Sequence, residues 1–305
     1  MNYEGKRILV TGGDGFVGRH LVAALRQQGA EVFAPDHYTC DILVKPVLDH
    51  TISLYKPLDI CFHLAARVGG IGANQGHGAN FFQENMLMGL NVIDTCLKYR
   101  VGSLVILGTT CSYPAGTPVP FKEEDLFNGY PEPTNAPYGI AKRALLVMLQ
   151  AYHKQYGLKS AYPISTNLYG PGDHSNLLTS HVIPAIIDKC LSIANGASDV
   201  LSLWGTGTPT RDFLYIDDLI KGLLLIGLTE DPVPINFGSG QETSILSLAH
   251  LVQELLGIEA PIIFASDKPD GQRRRLLDIS KAKELGWEPT TDLRTGLMKV
   301  IEEKL

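Results

Sequence analysis

Residues 6–18 read KRILVTGGDGFVG, and this stretch narrows the possible folds further than any other. An apolar run, Arg7 to Val10, passes directly into Gly12, Gly15 and Gly18, and an amphipathic helical pattern continues to about Gly29. Residues without Cβ let a strand-to-helix turn approach a pyrophosphate, and the helix N-terminus offers it N–H groups. A turn that only packs strand on helix uses the same glycines. The strand before and the helix after favour the dinucleotide reading. Strand-like EVFAPD ends at Asp36, where an acid accepts hydrogen bonds from adenosine ribose hydroxyls. That charge repels the extra phosphate of NADP, and Asp14 in the glycine turn adds another. NAD is therefore expected in preference to NADP. Either acid is otherwise an ordinary exposed turn residue.

A third strand, LDICFHLAA (Leu58 to Ala66), leads into RVGGIGANQGHG. Glycines crowd Gly69 to Gly78 too densely for a helix or strand interior, which predicts a loop, either a connector or a cover for a ligand. A helix is expected from about Asn80 to Tyr99. The run Leu104 to Leu107 then reads as a buried parallel strand, ending at Gly108 and followed by Thr109, Thr110 and Cys111. Ligands of open α/β sheets bind at the carboxyl ends of strands. Pro137 suits a first helical turn, and Tyr138 and Lys142 stand one turn apart on one face. An ammonium beside a phenol favours the phenolate and is expected to lower the phenol from about 10 toward working pH. Such a Tyr passes a proton to or from an alcohol oxygen while hydride moves at its carbon. YxxxK by itself is a common surface pair; the hydroxyl-tipped strand and the glycine turn give it weight.

With 305 residues, the chain holds more than one small core. Its net charge of −6 argues against nucleic acid as the main partner. No apolar run approaches the roughly 20 residues of a membrane span, and the opening MNYEGKRILV reads as no signal peptide. Five cysteines form no C-x-x-C pair, and Cys61 and Cys96 sit in apolar surroundings as expected buried thiols, so a reducing cytoplasm is the expected home. Nine histidines without H-E-x-x-H spacing suggest no metal site. Further on, KSAYPISTNLYGPGD reads as a strand ending in Asn167 and Tyr169, and a helical segment begins at Ser180 and His181. Strand-like LSLWGTGTPTRDFLYIDD runs into a helix opened by Asp217 and Asp218. PINFGSG returns to the main sheet, and Thr243 or Ser244 caps another helix.

These elements resemble the extended short-chain dehydrogenase/reductases, and among them the GDP-L-fucose synthases. The stretches HLAARVGGIGAN, GTTCSYP, PYGIAK, TNLYGPGD, SHVIPA, LWGTGTPTRDFLYIDD and RRLLDISKAKELGW carry the resemblance along nearly the whole chain. It implies an α/β fold: a Rossmann-type doubly wound parallel sheet with a smaller C-terminal α/β substrate-binding lobe. The expected division is 1–168 plus about 211–238, against about 169–210 plus 239–305. The activity implied is epimerisation at C3 and C5 of a GDP-4-keto-6-deoxy-hexose, then reduction at C4, by a homodimer. The resemblance assigns Thr109, Tyr138 and Lys142 to hydride transfer, and Cys111 and His181 to epimerisation. It assigns Gly12, Gly15, Phe16, Val17, Gly18, Asp36, Leu64, Ala65, Ala66 and Lys142 to the cofactor, and Asn167, Trp204 and Arg211 to the substrate, with Lys189 and Arg274 as further substrate-binding candidates. Read without it, Cys111 is a small core residue and His181 a helix start. Trp204 is core packing or a nucleotide wall, and Arg273 to Arg275 are a solvated run or a diphosphate clamp. The chain departs from the pattern at Thr109, where these synthases usually carry Ser, and at Asp14 and Asp36, since they typically use NADPH. An NAD enzyme suggests another reading: an epimerase of the GDP-mannose 3,5-epimerase type that retains its cofactor with no net redox change. A catalytically silent NAD-binding module is a third, opposed by the intact Thr109, Tyr138 and Lys142.

Overall fold

The computed structural model describes residues 2–173, 181–265 and 270–305. Strands and helices alternate from the start: β1 (Arg7–Thr11), α1 (Phe16–Gln27), β2 (Glu31–Phe33), α2 (Lys45–Tyr55), β3 (Ile60–His63), α3 (Ile71–Lys98), β4 (Ser103–Ile106) and β5 (Gly108–Thr109). Then come α4 (Ala136–Tyr156), β6 (Ser160–Ser165), β7 (Asn167–Tyr169), α5 (Val182–Ala194), β8 (Leu201–Trp204), β9 (Thr210–Tyr215) and α6 (Ile216–Ile226). The chain closes with β10 (Pro234–Phe237), β11 (Glu242–Ser244), α7 (Ile245–Leu256), β12 (Ile262–Ala265), α8 (Ser280–Glu284) and α9 (Leu293–Lys304).

The main sheet runs β10-β6-β4-β3-β1-β2, with β5 continuing alongside β6, and every pairing in it is parallel. Strands β3, β4 and β6 are buried along their length, as sheets covered on both faces require. The order reverses at β1, between β2 and β3, which is where doubly wound sheets open a crevice. Two smaller sheets, β11-β9-β7 and β12-β8, stand beyond the carboxyl edge. Strand β9, expected with the first region, pairs with β7 and β11, whereas α6 packs on α1 and β10 rejoins the main sheet. Ser244 caps α7, its hydroxyl accepting from Ser247 N–H. Ser180 lies outside the described residues.

The glycine-rich stretch departs from expectation. Gly70 caps α3, the chain is helical from Ile71, and the irregularity shrinks to a kink at His77 (φ −135°, ψ 30°). Each helical glycine costs about 1 kcal/mol relative to alanine. Tertiary packing outweighs that, and Asn74 Nδ2 donates to the carbonyls of Gly69 and Gly70 (2.8 and 3.1 Å). Among the described residues, no helix is long and apolar enough to cross a membrane.

Candidate active site

A cavity of about 820 Å³ opens at the carboxyl edge of the main sheet, between it and the smaller sheets. One end is the glycine turn. Gly12 has φ +72°, and a Cβ there would stand 2.6 Å from Ala65 N, so only glycine lets the turn close on the segment after β3. Gly15 caps α1 without any side-chain hydrogen bond, leaving the first-turn N–H groups of Phe16, Val17 and Gly18 to a ligand. Gly12, Asp14, Gly15, Phe16, Val17, Gly18, Leu64, Ala65 and Ala66 all line this end. These donors fit a dinucleotide pyrophosphate. Asp36 lies just outside the wall, between Pro35 and His37, which line it. Its Oδ1 accepts from Thr39 N and Oγ1 (both 2.8 Å); these bonds hold the carboxyl below its usual range.

The middle of the cavity gathers Thr109, Cys111, Tyr138 and Lys142. Thr109 caps a single 3₁₀ turn (Thr110–Ser112), its Oγ1 accepting from Cys111 N–H at 3.2 Å, which leaves the hydroxyl proton for a ligand oxygen. Helix α4 comes against this turn at Gly139, where any Cβ would overlap the Cys111 carbonyl oxygen. That contact sets Tyr138 beside Cys111.

Electrostatics here run against the expected phenolate. Tyr138 is raised above its ordinary value, first by burial and then by the Cys111 charge. Lys142, 2% exposed, is pushed down to about 8 by burial. Desolvation disfavours charge on both groups and outweighs the expected attraction. Lys142 shares this interior with His63 of β3, whose Nδ1 lies 2.8 Å from Thr11 Oγ1. Burial, then the Lys142 charge, push His63 down to about 3, so it is neutral.

At the far end, Arg211 donates to the carbonyls of Thr210, Gln272 and Asp270 (2.8, 2.7 and 3.2 Å). Burial, with Arg275 next, lowers it to about 10. Asn167 Nδ2 donates to Asp212 O at 2.9 Å, and Lys189 Nζ to Ser202 O at 2.7 Å. Trp204 stands half exposed on the wall, not in the core. His181 lines the cavity at the start of α5, facing Asp173.

Arg274 is placed elsewhere. It is absent from the lining and pairs with Glu242 (Nε to Oε1 3.1 Å), while its neighbour Arg275 lines the cavity and donates from Nη1 to Cys111 Sγ at 3.7 Å. Successive residues of extended chain face opposite ways, and a run of three arginines gives no cue to which one faces in. Sequence reasoning also passed over Asp173, Gln272 and Asn74. The buried Oδ1 of Asn74 has no hydrogen-bond partner among the described residues. Among the described residues, no cluster of three His, Cys, Asp or Glu side chains is placed to hold a metal ion.

A nucleotide-binding sheet with a Thr–Tyr–Lys set at its carboxyl edge defines a dinucleotide-dependent enzyme of the epimerase and reductase kind. A sequence profile of the NAD dependent epimerase/dehydratase family matches residues 8–238, and the chain belongs to that family. It is 40% identical to a GDP-L-fucose synthase of Sinorhizobium fredii, covering 98% of this chain and 95% of that one. GDP-L-fucose synthase 1 of Arabidopsis thaliana is 37% identical, covering 99% and 94%. Among solved structures, a GDP-mannoheptose C4 reductase from Campylobacter jejuni with NADP bound superimposes with a TM-score of 0.88 at 28% identity, over 100% of this chain and 99% of that one.

Proposed function

We propose that this protein inverts C3 and C5 of GDP-4-keto-6-deoxy-mannose and then reduces the C4 ketone, the GDP-L-fucose synthase reaction. The single observation carrying the reading is that Thr109, Tyr138, Lys142, Cys111 and His181 line one cavity with the glycine turn. The fucose synthase relatives support the same substrate. They favour a net reductase over an epimerase that retains its cofactor.

The ketone acidifies the hydrogens on C3 and C5, so inversion needs a base on one face of the ring and an acid on the other. Cys111 and His181 cover these roles from two separate elements. NAD(P)H supplies the hydride that reaches C4. Thr109 Oγ1 and the Tyr138 phenol hold the C4 oxygen, and Tyr138 donates its proton as negative charge develops there. A phenol kept neutral by burial suits a donor, and the Lys142 ammonium stabilises it as the proton leaves. Arg211 and Arg275 suit the diphosphate of the substrate. Between the two dinucleotides, Asp14 and Asp36 favour NADH. Asp36 stands between the wall residues Pro35 and His37, where a 2′-phosphate would meet like charge.

The test is absorbance at 340 nm with GDP-4-keto-6-deoxy-mannose and either NADH or NADPH. We expect one cofactor oxidised per product, with kcat/KM for NADH about tenfold above that for NADPH. Product without cofactor oxidation sinks the reductase. A preference for NADPH sinks the role of the two acids. In a second experiment, Cys111→Ser slows solvent deuterium exchange at C3 and C5 by at least about 100-fold. Equal exchange in variant and parent removes Cys111 from the chemistry.

A further inference from the structure

Between β7 and α5, the turn through Gly170–Pro171–Gly172 is held from several sides. His20 Nε2 of α1 lies 3.0 Å from Pro171 O, and Arg19 of the same helix donates to Gly172 O. Gly172 N donates to Glu303 Oε2 of α9 at 2.7 Å, and Asp173 N to Gly170 O at 3.3 Å. The helix that begins at the pyrophosphate turn therefore also fixes the next residue, Asp173. Its side chain is 3% exposed, and His181 Nδ1 lies 3.2 Å from Oδ2 and 3.3 Å from Oδ1. The imidazole itself is half open to the cavity.

We propose that Asp173 is the positioning residue of an Asp173–His181 dyad, committing Nδ1–H to the carboxylate and presenting Nε2 to the carbons beside the substrate ketone. This rests on the epimerase/reductase reading above. When His181 is the base, the C–H bond breaks, its electron pair moves into the enolate, and the proton goes to Nε2. When it is the acid, Nε2–H gives its proton to carbon and the enolate returns to the ketone. In either direction the ring carries positive charge at one stage. The N-terminus of α5, which His181 caps, disfavours that charge, and a buried carboxylate offsets it. The hydrogen bond to Asp173 raises His181 above its ordinary value while burial opposes it. The other titratable or charged groups on the cavity wall include Lys189, Tyr138, Lys142, Cys111, Arg211 and Arg275; the direct partner of the ring is Asp173.

The proposal is tested with Asp173→Asn and Asp173→Glu in D₂O on GDP-4-keto-6-deoxy-mannose. The asparagine variant is expected to lose about 10- to 100-fold in the rate of deuterium entry, with KM within about twofold, and the glutamate variant to recover part of it. With ¹⁵N-histidine, assigned through His181→Gln, the neutral ring should show the Nδ1–H tautomer in the parent and lose that bias in Asp173→Asn. An unchanged tautomer, or exchange equal to the parent's, overturns the dyad. A parent that exchanges no deuterium overturns the substrate reading instead, and the tautomer measurement then still decides the dyad.

Discussion

Tyr138→Phe is expected to stop hydride transfer to the C4 ketone while leaving the ring in place. On the proposed mechanism, removing one hydroxyl takes away the proton donor and one of two hydrogen bonds to the developing alkoxide. A general acid contributes about 10²- to 10⁴-fold, or about 3 to 5 kcal/mol of barrier, so cofactor oxidation should fall by that factor. On the proposed roles of Cys111 and His181, deuterium exchange at C3 and C5 should persist. Two measurements on one sample separate the steps: absorbance at 340 nm, and mass spectrometry of the recovered sugar. Turnover equal to the parent's would remove the Tyr–Lys pair from the mechanism, and with it the reductase reading. The raised pKa of Tyr138 predicts that loss of reduction at alkaline pH does not come from ionisation of this phenol.

Lys142→Met should abolish reduction yet stabilise the cofactor-free protein. Lys142 is 2% exposed, and burial brings it from 10.5 down to about 8. Between those values the unfolded chain binds more protons than the folded one, so stability rises with pH across that window. Below pH 8 the penalty of holding the charge is fully present. A shift of this size corresponds to about 3 kcal/mol. Methionine has similar length and no charge, so urea unfolding at pH 7 should show a gain approaching that figure. The parent should gain stability from pH 8 to 10, and the variant should lack that gain. A variant no more stable than the parent would mean that the lysine is solvated or paired in solution. Strain of this kind is what a site evolved for chemistry accumulates, and on the proposed reading the charge serves the reaction and not the fold.

Much of this was legible in the residues. Covalent periodicity did it: four residues bring Tyr138 and Lys142 onto one helical face wherever the helix lies, and a Cβ-free turn after an apolar strand has few uses. A doubly wound parallel sheet follows from alternating strands and helices with right-handed crossovers. Ser244 as a cap was also readable, because capping depends only on neighbours in sequence. Pro234–Phe237 was readable as a strand from its own residues, and its parallel pairing with β6 fits the alternation of strands and helices.

Sequence alone thus determined the parallel sheet, the phosphate-binding turn and the spacing of the Tyr–Lys pair, all set by local geometry. Tertiary structure decided the rest: Gly69–Gly78 as mostly helix, Arg275 in place of Arg274 at Cys111, Asp173 against His181, and a neutral Tyr138. Each of these depends on how deeply a group is buried and on what distant segment meets it. Desolvation and long-range packing leave no period in the chain.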